Sequence, residues 1–327
     1  MGKYLSIMQD PLSVVGQFLR WREAVILSTV CIIAHNIVHS TTRQIRFEDR
    51  DVNDIDTQVL KHWFPLTHTL TIGFGDWGTM HDFNEIFLQA KISVDDMKHI
   101  RCLVFAMVLT ENADDCLLAG QFVANILTNV KSELTSITLY GFLFWRDFWH
   151  NVQLSGPFPH VQTLMIDHLW LMNHDTETLF PNVQSLVCYE MDGDEFTNNL
   201  KLNQYFDWDK LQVLSWIKDY QCLTWMHFNL EWLPQTMTHL TLSDVDASIL
   251  CQLLNTSIFV QNVQIDWCIS AEEELVNTQT HKHLRCETFA ICIKYHVNHG
   301  YIDKHTATNF KNKCLCVDSL FQFLTQV

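Results

Sequence analysis

The chain is patterned on a short run in which apolar residues stand at the first, fourth and sixth positions. Val161 opens the clearest copy, V-Q-T-L-M-I-D-H-L. Val183 opens V-Q-S-L-V-C-Y-E-M, Leu211 opens L-Q-V-L-S-W-I-K-D, and Met237 opens M-T-H-L-T-L-S-D-V. Val260 opens the looser V-Q-N-V-Q-I-D-W-C. The alternation predicts a short half-buried strand in each copy. The openers at 161, 183, 211 and 237 are 22, 28 and 26 residues apart. That period lies in the range of solenoids built from one strand per repeat.

The same alternation appears earlier at wider spacing. Strands are predicted over 43–47, 67–74, 101–109 and 134–139. Between them, Asp114 to Val130 places Leu117, Leu118, Phe122, Ile126 and Val130 at helical spacing, behind an acidic start that suits the helix dipole. Residues 82–91 form a weaker helix candidate, and 194–206 and 246–254 are further ones. Phe158-Pro159, Phe180-Pro181 and Leu233-Pro234 each precede a strand. Proline there ends any preceding helix and biases its predecessor toward an extended backbone. Leu284 to Ile291 is a candidate last strand, and Leu315 to Leu324 a closing helix.

The first forty residues read differently. Leu12, Val15, Phe18 and Leu19 make one helical stripe, with Pro11 tolerated in the first turn. A break is expected near Arg20-Trp21-Arg22. Ala24, Val25, Leu27, Val30, Cys31 and Ala34 then mark a second apolar face. So few short helices need other surface to cover them.

Composition narrows the function classes. Hydrophobic residues make up 48% of 327 residues and charged residues 18%, as in a folded protein. The net charge of -16, without a dense Lys/Arg block, argues against nucleic acid and anionic membrane as partners. The 11 cysteines form no disulfide-like framework, and no signal peptide or membrane span is evident. A reducing cytoplasmic or nuclear setting is expected. Met1-Gly2 with Ser6 fits only the short myristoylation pattern. No phosphate loop, G-x-S-x-G or H-E-x-x-H run occurs, so no enzyme activity and no cofactor are expected. His296, His299, Cys314 and Cys316 could supply four zinc ligands, but their H-x2-H and C-x-C spacing is unlike structural zinc, and no metal is expected.

The segment from Ile7 to Cys31 resembles an F-box. Leu19 and the Val30-Cys31 pair keep that motif's separation. Ile7 stands where Leu is usual and Asp10 where Glu is usual; Met8 occupies the Pro position and Ala34 the Trp position. The stretch over 65–290 resembles irregular leucine-rich repeats, on Leu164 and Ile166, Leu186 and Cys188, Leu214 and Trp216, Leu240 and Leu242, and Val263 and Ile265. Together these imply an α/β leucine-rich-repeat solenoid, a curved parallel sheet with helices outside, of roughly eight or nine repeats. The expected division is an F-box-like helical module over 1–42, the solenoid over 43–290 and a C-terminal cap over 291–327.

The function implied by the resemblance is substrate recognition for a Skp–cullin–F-box ubiquitin ligase. Ile7, Pro11, Leu12, Val15, Leu19, Val25, Val30 and Cys31 would meet a Skp-type adaptor. A target protein would lie on the outward strand positions: Thr138, Tyr140, Met165, Asp167, Val187, Tyr189, Ser215, Ile217, Thr241, Ser243, Gln264 and Asp266. That set is small, apolar or acidic, and suits a partner of basic character. The alternative is a leucine-rich-repeat binding scaffold whose first helices only cap the stack, as solenoid ends require.

Overall fold

A computed structural model of the chain describes residues 21–30, 32–47, 58, 61–62, 64–74, 97–107, 113–140, 156–167, 176–190, 206–207, 209–218, 233–245, 253, 258–269, 286–297, 300–302 and 308–310. Two compact units are present: Met1–Thr163 with Thr178–Pro181, and Leu164–Glu177 with Asn182–Val327.

The first unit begins with helices α1 (Trp21–Val30) and α2 (Ile32–Thr41). Strands β1 (Gln44–Phe47), β2 (Thr69–Phe74), β3 (Cys102–Met107) and β4 (Ser136–Tyr140) follow, with α3 (Ala113–Val130) between β3 and β4. The four strands are parallel and lie side by side in chain order. Strand β5 (Thr163–Asp167) straddles the division between the units. The second unit continues with β6 (Ser185–Glu190), β7 (Val213–Lys218), β8 (His239–Val245), β9 (Asn262–Ile269) and β10 (Thr288–Val297). Strands β6 to β10 are again parallel and in chain order. Sequential parallel strands, each one repeat further along the chain, make a solenoid-like arrangement. Helices between strands include α3 and the four-residue α4 (Thr176–Leu179), and Gln58, Lys61, His62, Met97 and Leu253 are also helical.

Register explains why the alternation folds this way. Ile45, Leu70, Leu103 and Ile137 are successive Cα partners, as are Phe47, Ile72, Phe105 and Leu139. All eight are buried. In the second unit Leu186, Leu214, Leu240, Val263 and Phe289 form one buried row, and Cys188, Trp216, Leu242 and Ile265 the next. Successive strand residues face opposite sides, so one polar residue between two apolar ones puts both apolar side chains in the core. Each such side chain contributes about 1.5–3 kcal/mol when fully buried. A slip of one residue would turn every row to solvent.

Three residues before the first core position stands the opener of each repeat. Ile100, Leu134, Val161, Val183, Leu211, Met237, Val260 and Cys286 are all buried there. So are Thr42 and Thr67, in the two repeats where polar openers hide the motif. Counted by these openers, the frame occurs ten times, at 42, 67, 100, 134, 161, 183, 211, 237, 260 and 286.

Several expectations are corrected. Helix α1 starts at Trp21, within the expected break at Arg20-Trp21-Arg22, and Arg20 lies outside the described residues. Ala24 is buried, but Val30 is 71% exposed. Six residues at about 100° each place Val30 about 120° round the helix from Ala24, so the two do not share a face. The last parallel strand is Thr288–Val297, later and longer than 284–291, because Phe289, Ile291, Ile293 and Tyr295 sustain the alternation. It runs through residue 290, where the solenoid was expected to give way to a cap. The helix candidates at 82–91, 194–205 and 315–324 lie outside the described residues, as does 246–254 except the helical Leu253.

Strands β11 (Gly300–Ile302) and β12 (Thr308–Phe310) pair antiparallel with β10, at Tyr295↔Ile302 and Phe289↔Phe310. They occupy the side of β10 that β9 leaves open.

Candidate interaction surface

Outward strand positions and the rim where the chain enters each strand are the surfaces the fold holds in fixed register. Neighbouring strands are about 4.8 Å apart, so register partners on one face are close neighbours. In the second unit Val187, Ser215, Thr241 and Gln264 are successive partners, and Ala290 continues their row. Tyr189 lies opposite Ile217. A register shift in β8 between Leu242 and Val245 leaves Ser243 out of the row; Asp266 is opposite Cys292 instead. Met165 and Asp167 lie on β5. In the first unit Thr138 is opposite Val104, and Tyr140 opposite Ala106. The expected target-facing residues are thus on strands at outward register positions, with Ser243 displaced by the bulge.

Of the expected adaptor-facing residues, Val25 is half-buried and Val30 exposed on α1. Ile7, Pro11, Leu12, Val15, Leu19 and Cys31 lie outside the described residues. The exposed apolar residues of this part are Ile26 at 65%, Val30, and Ile32 at 77%. Ile26 and Val30 are four apart and share one face of α1.

The rim is a row that the strand pattern alone does not reveal. Each rim carbonyl accepts N–H groups from the next repeat. The Arg43 carbonyl accepts from His68 and Thr69 at 2.9 and 3.1 Å, and the His68 carbonyl from Arg101 and Cys102 at 2.8 and 3.0 Å. The Arg101 carbonyl does the same for Thr135 and Ser136, and Thr135 for Gln162 and Thr163. In the second unit Gln184 serves Gln212 and Val213, Gln212 serves Thr238 and His239, and Gln261 serves Glu287 and Thr288. The backbone is thereby satisfied where each strand starts, and the rim side chains are left to solvent. A signal was present in the sequence: Gln162, Gln184, Gln212 and Gln261 all follow an apolar opener.

Side chains link this margin in the second unit. Thr288 donates to Asn262 Oδ1, which orients the amide so that Nδ2 donates to His239 Nε2 at 2.8 Å. His239 Nδ1 then donates to the Thr238 hydroxyl at 2.9 Å, which donates to the Gln212 carbonyl at 3.1 Å. This sense of the chain is assigned from its partners. It ties four consecutive repeats along one margin of the strands.

No protein-family model matches this chain, and no curated protein matches it.

Among the described residues, no group of three or more His, Cys, Asp or Glu is placed to hold a metal ion. His296 lies on β10; His299, Cys314 and Cys316 are outside the described residues. No described helix is long and apolar enough to cross a membrane.

Proposed function

We propose that this chain is a protein-recognition solenoid, and that it serves a Skp–cullin–F-box ubiquitin ligase as the subunit that holds the target. On this reading the repeats are irregular leucine-rich repeats with helices outside the sheet, and the first helices are a degenerate F-box. The adaptor meets the N-terminal helices, the target meets the outward rows, and the chain performs no chemistry. It supplies effective concentration at the ligase. A cytoplasmic or nuclear setting belongs to the same reading.

One observation carries the adaptor half. Ile26, Val30 and Ile32 are exposed on helices that already bury Ala24 and Val38. Large apolar side chains held outward on a short helical pair are what an adaptor surface would cover. A second reading, a bare solenoid cap, is favoured by the way α2 leads into β1. Thr42 donates its N–H to the Val38 carbonyl at 3.0 Å, and Thr42 and Val38 are buried.

A pull-down of the full chain with the Skp adaptor separates the two, run beside the Ile26→Asp, Val30→Asp double variant. Both sites are exposed, so the variant should fold. Binding by the wild type and its loss in the folded variant would support the ligase reading. A folded wild type that does not bind the adaptor would reject it and leave the cap.

A further inference from the structure

We propose that the rim of the first unit is a docking surface for an acidic segment of a partner protein. The same structural position carries different charge in the two units. In the first unit it is Arg43, His68 and Arg101 along β1, β2 and β3, then Thr135 and Gln162; in the second unit it is Gln184, Gln212, Thr238, Gln261 and Glu287. The carbonyl ladder makes the first three immediate neighbours across the strands. All three are exposed. Arg46 adds a cation at an outward position of β1, and Lys98 stands exposed in the turn before β3.

The cations are a feature of the rim and not of the unit, because the full sequence of the first unit holds 12 Lys and Arg against 17 Asp and Glu, and that of the second nine against 20. In a chain of net charge -16, cations gathered on one margin are a local feature against the general trend. Arg43 and Arg101 stand two strands apart, with His68 between them. The carbonyl ladder itself uses only backbone atoms, so it sets no charge at the rim side chains. Glu133 pairs with the Arg101 guanidinium, while Arg43 donates to a neutral acceptor, the Ser40 carbonyl. An anionic partner would be attracted by both guanidinium groups.

The chemistry favours carboxylates on a peptide over nucleic acid. The overall negative charge repels a long polyanion, whereas a short segment responds to the local field of the rim. The rim and the first two outward rows of β1–β4 hold no Phe, Tyr or Trp on which a base could stack. Guanidinium groups match carboxylates in planar geometry. The inference does not rest on the adaptor reading, since α1 and α2 take no part in it.

The test is fluorescence anisotropy of a labelled, Glu- and Asp-rich peptide with the full chain at low ionic strength. Two triple variants with equal charge loss are compared: Arg43→Gln, Arg46→Gln, Lys98→Gln at the rim, and Lys210→Gln, Lys218→Gln, Lys294→Gln in the second unit. The rim variant should weaken binding by roughly tenfold or more, and the other should leave it near wild type. Hydrogen exchange on the wild type gives a readout free of folding defects: the peptide should protect amides around 43–46, 68–71 and 98–102. No binding, equal losses in both variants, absence of that protection, or tighter binding of oligo-uridine than of the peptide would each overturn the proposal.

Discussion

Phe158 and Phe180 stack with ring centroids 5.5 Å apart and planes 18° from parallel. Both rings are buried, and the Phe158 N–H donates to the Leu179 carbonyl at 2.8 Å. Each ring belongs to a Phe-Pro turn that leads its repeat back toward a strand. The pair therefore locks one turn onto the next. Such a contact adds about 0.5–1.5 kcal/mol beyond burial. Phe180→Ala should lose about 3–5 kcal/mol, and Phe180→Leu less than about 1.5 kcal/mol. Urea denaturation measures both. Equal, small losses would mean that the turns do not rely on the aromatic pair.

Thr42 and Thr67 occupy opener positions that apolar residues fill in the later repeats. Their hydroxyl oxygens are buried and have no hydrogen-bond partner among the described residues. A buried hydroxyl of this kind costs stability that an apolar group of similar shape does not. Thr67→Val should stabilise the chain by about 1 kcal/mol, moving the urea midpoint upward. A destabilised variant would mean that the hydroxyl makes a bond that the burial pattern conceals.

The two threonines also show why the sequence was legible in one half and less so in the other. From Val161 onward the opener is apolar and apolar residues recur at the fourth and sixth positions of each copy. The core pairs Leu164 and Ile166, Leu186 and Cys188, Leu214 and Trp216, Leu240 and Leu242, and Val263 and Ile265 are all buried. Earlier strands were visible by alternation, but their openers at Thr42 and Thr67 look like surface residues. The outward rows followed from period two, except at Ser243, where a bulge is a backbone event with no side-chain signature. The rim was missed for the same reason: its ladder is made by carbonyl groups that every residue carries. On α1 the apolar residues surround the helix, so periodicity alone did not put Val30 on a different face from Ala24.

Cysteine chemistry tests the inward and outward rows directly. Cys188 lies in the second core row and Cys286 at an opener, both buried, while Cys102 begins β3 at an outward position and is half-buried. Thiols react as thiolates and need access to reagent. Brief treatment of the native chain with iodoacetamide, followed by peptide mass spectrometry, should label Cys102 before Cys188 and Cys286. Denaturation should erase the difference. Early labelling of Cys188 would place β6 one residue out of register, since such a slip turns the whole strand over.

The last parallel strand would present an open edge beyond β9. An uncovered strand offers unpaired N–H and C=O groups to any other chain. Strand β10 meets this with two short antiparallel partners on one side, β12 along Phe289–Ile291 and β11 along Tyr295–Val297. Reversal of direction ends the stack, because neither short strand continues the parallel repeat. Removing residues after 299 deletes both partners and leaves β10 open along that side. The shortened chain should keep its strand signal in circular dichroism yet form concentration-dependent oligomers in size-exclusion chromatography with light scattering, where the full chain gives a smaller species. Introducing a proline into β10, as Ile291→Pro, should suppress those oligomers, because proline donates no hydrogen bond to an incoming strand. A shortened chain with the same association state as the full chain would show that β11 and β12 are not what protects this edge.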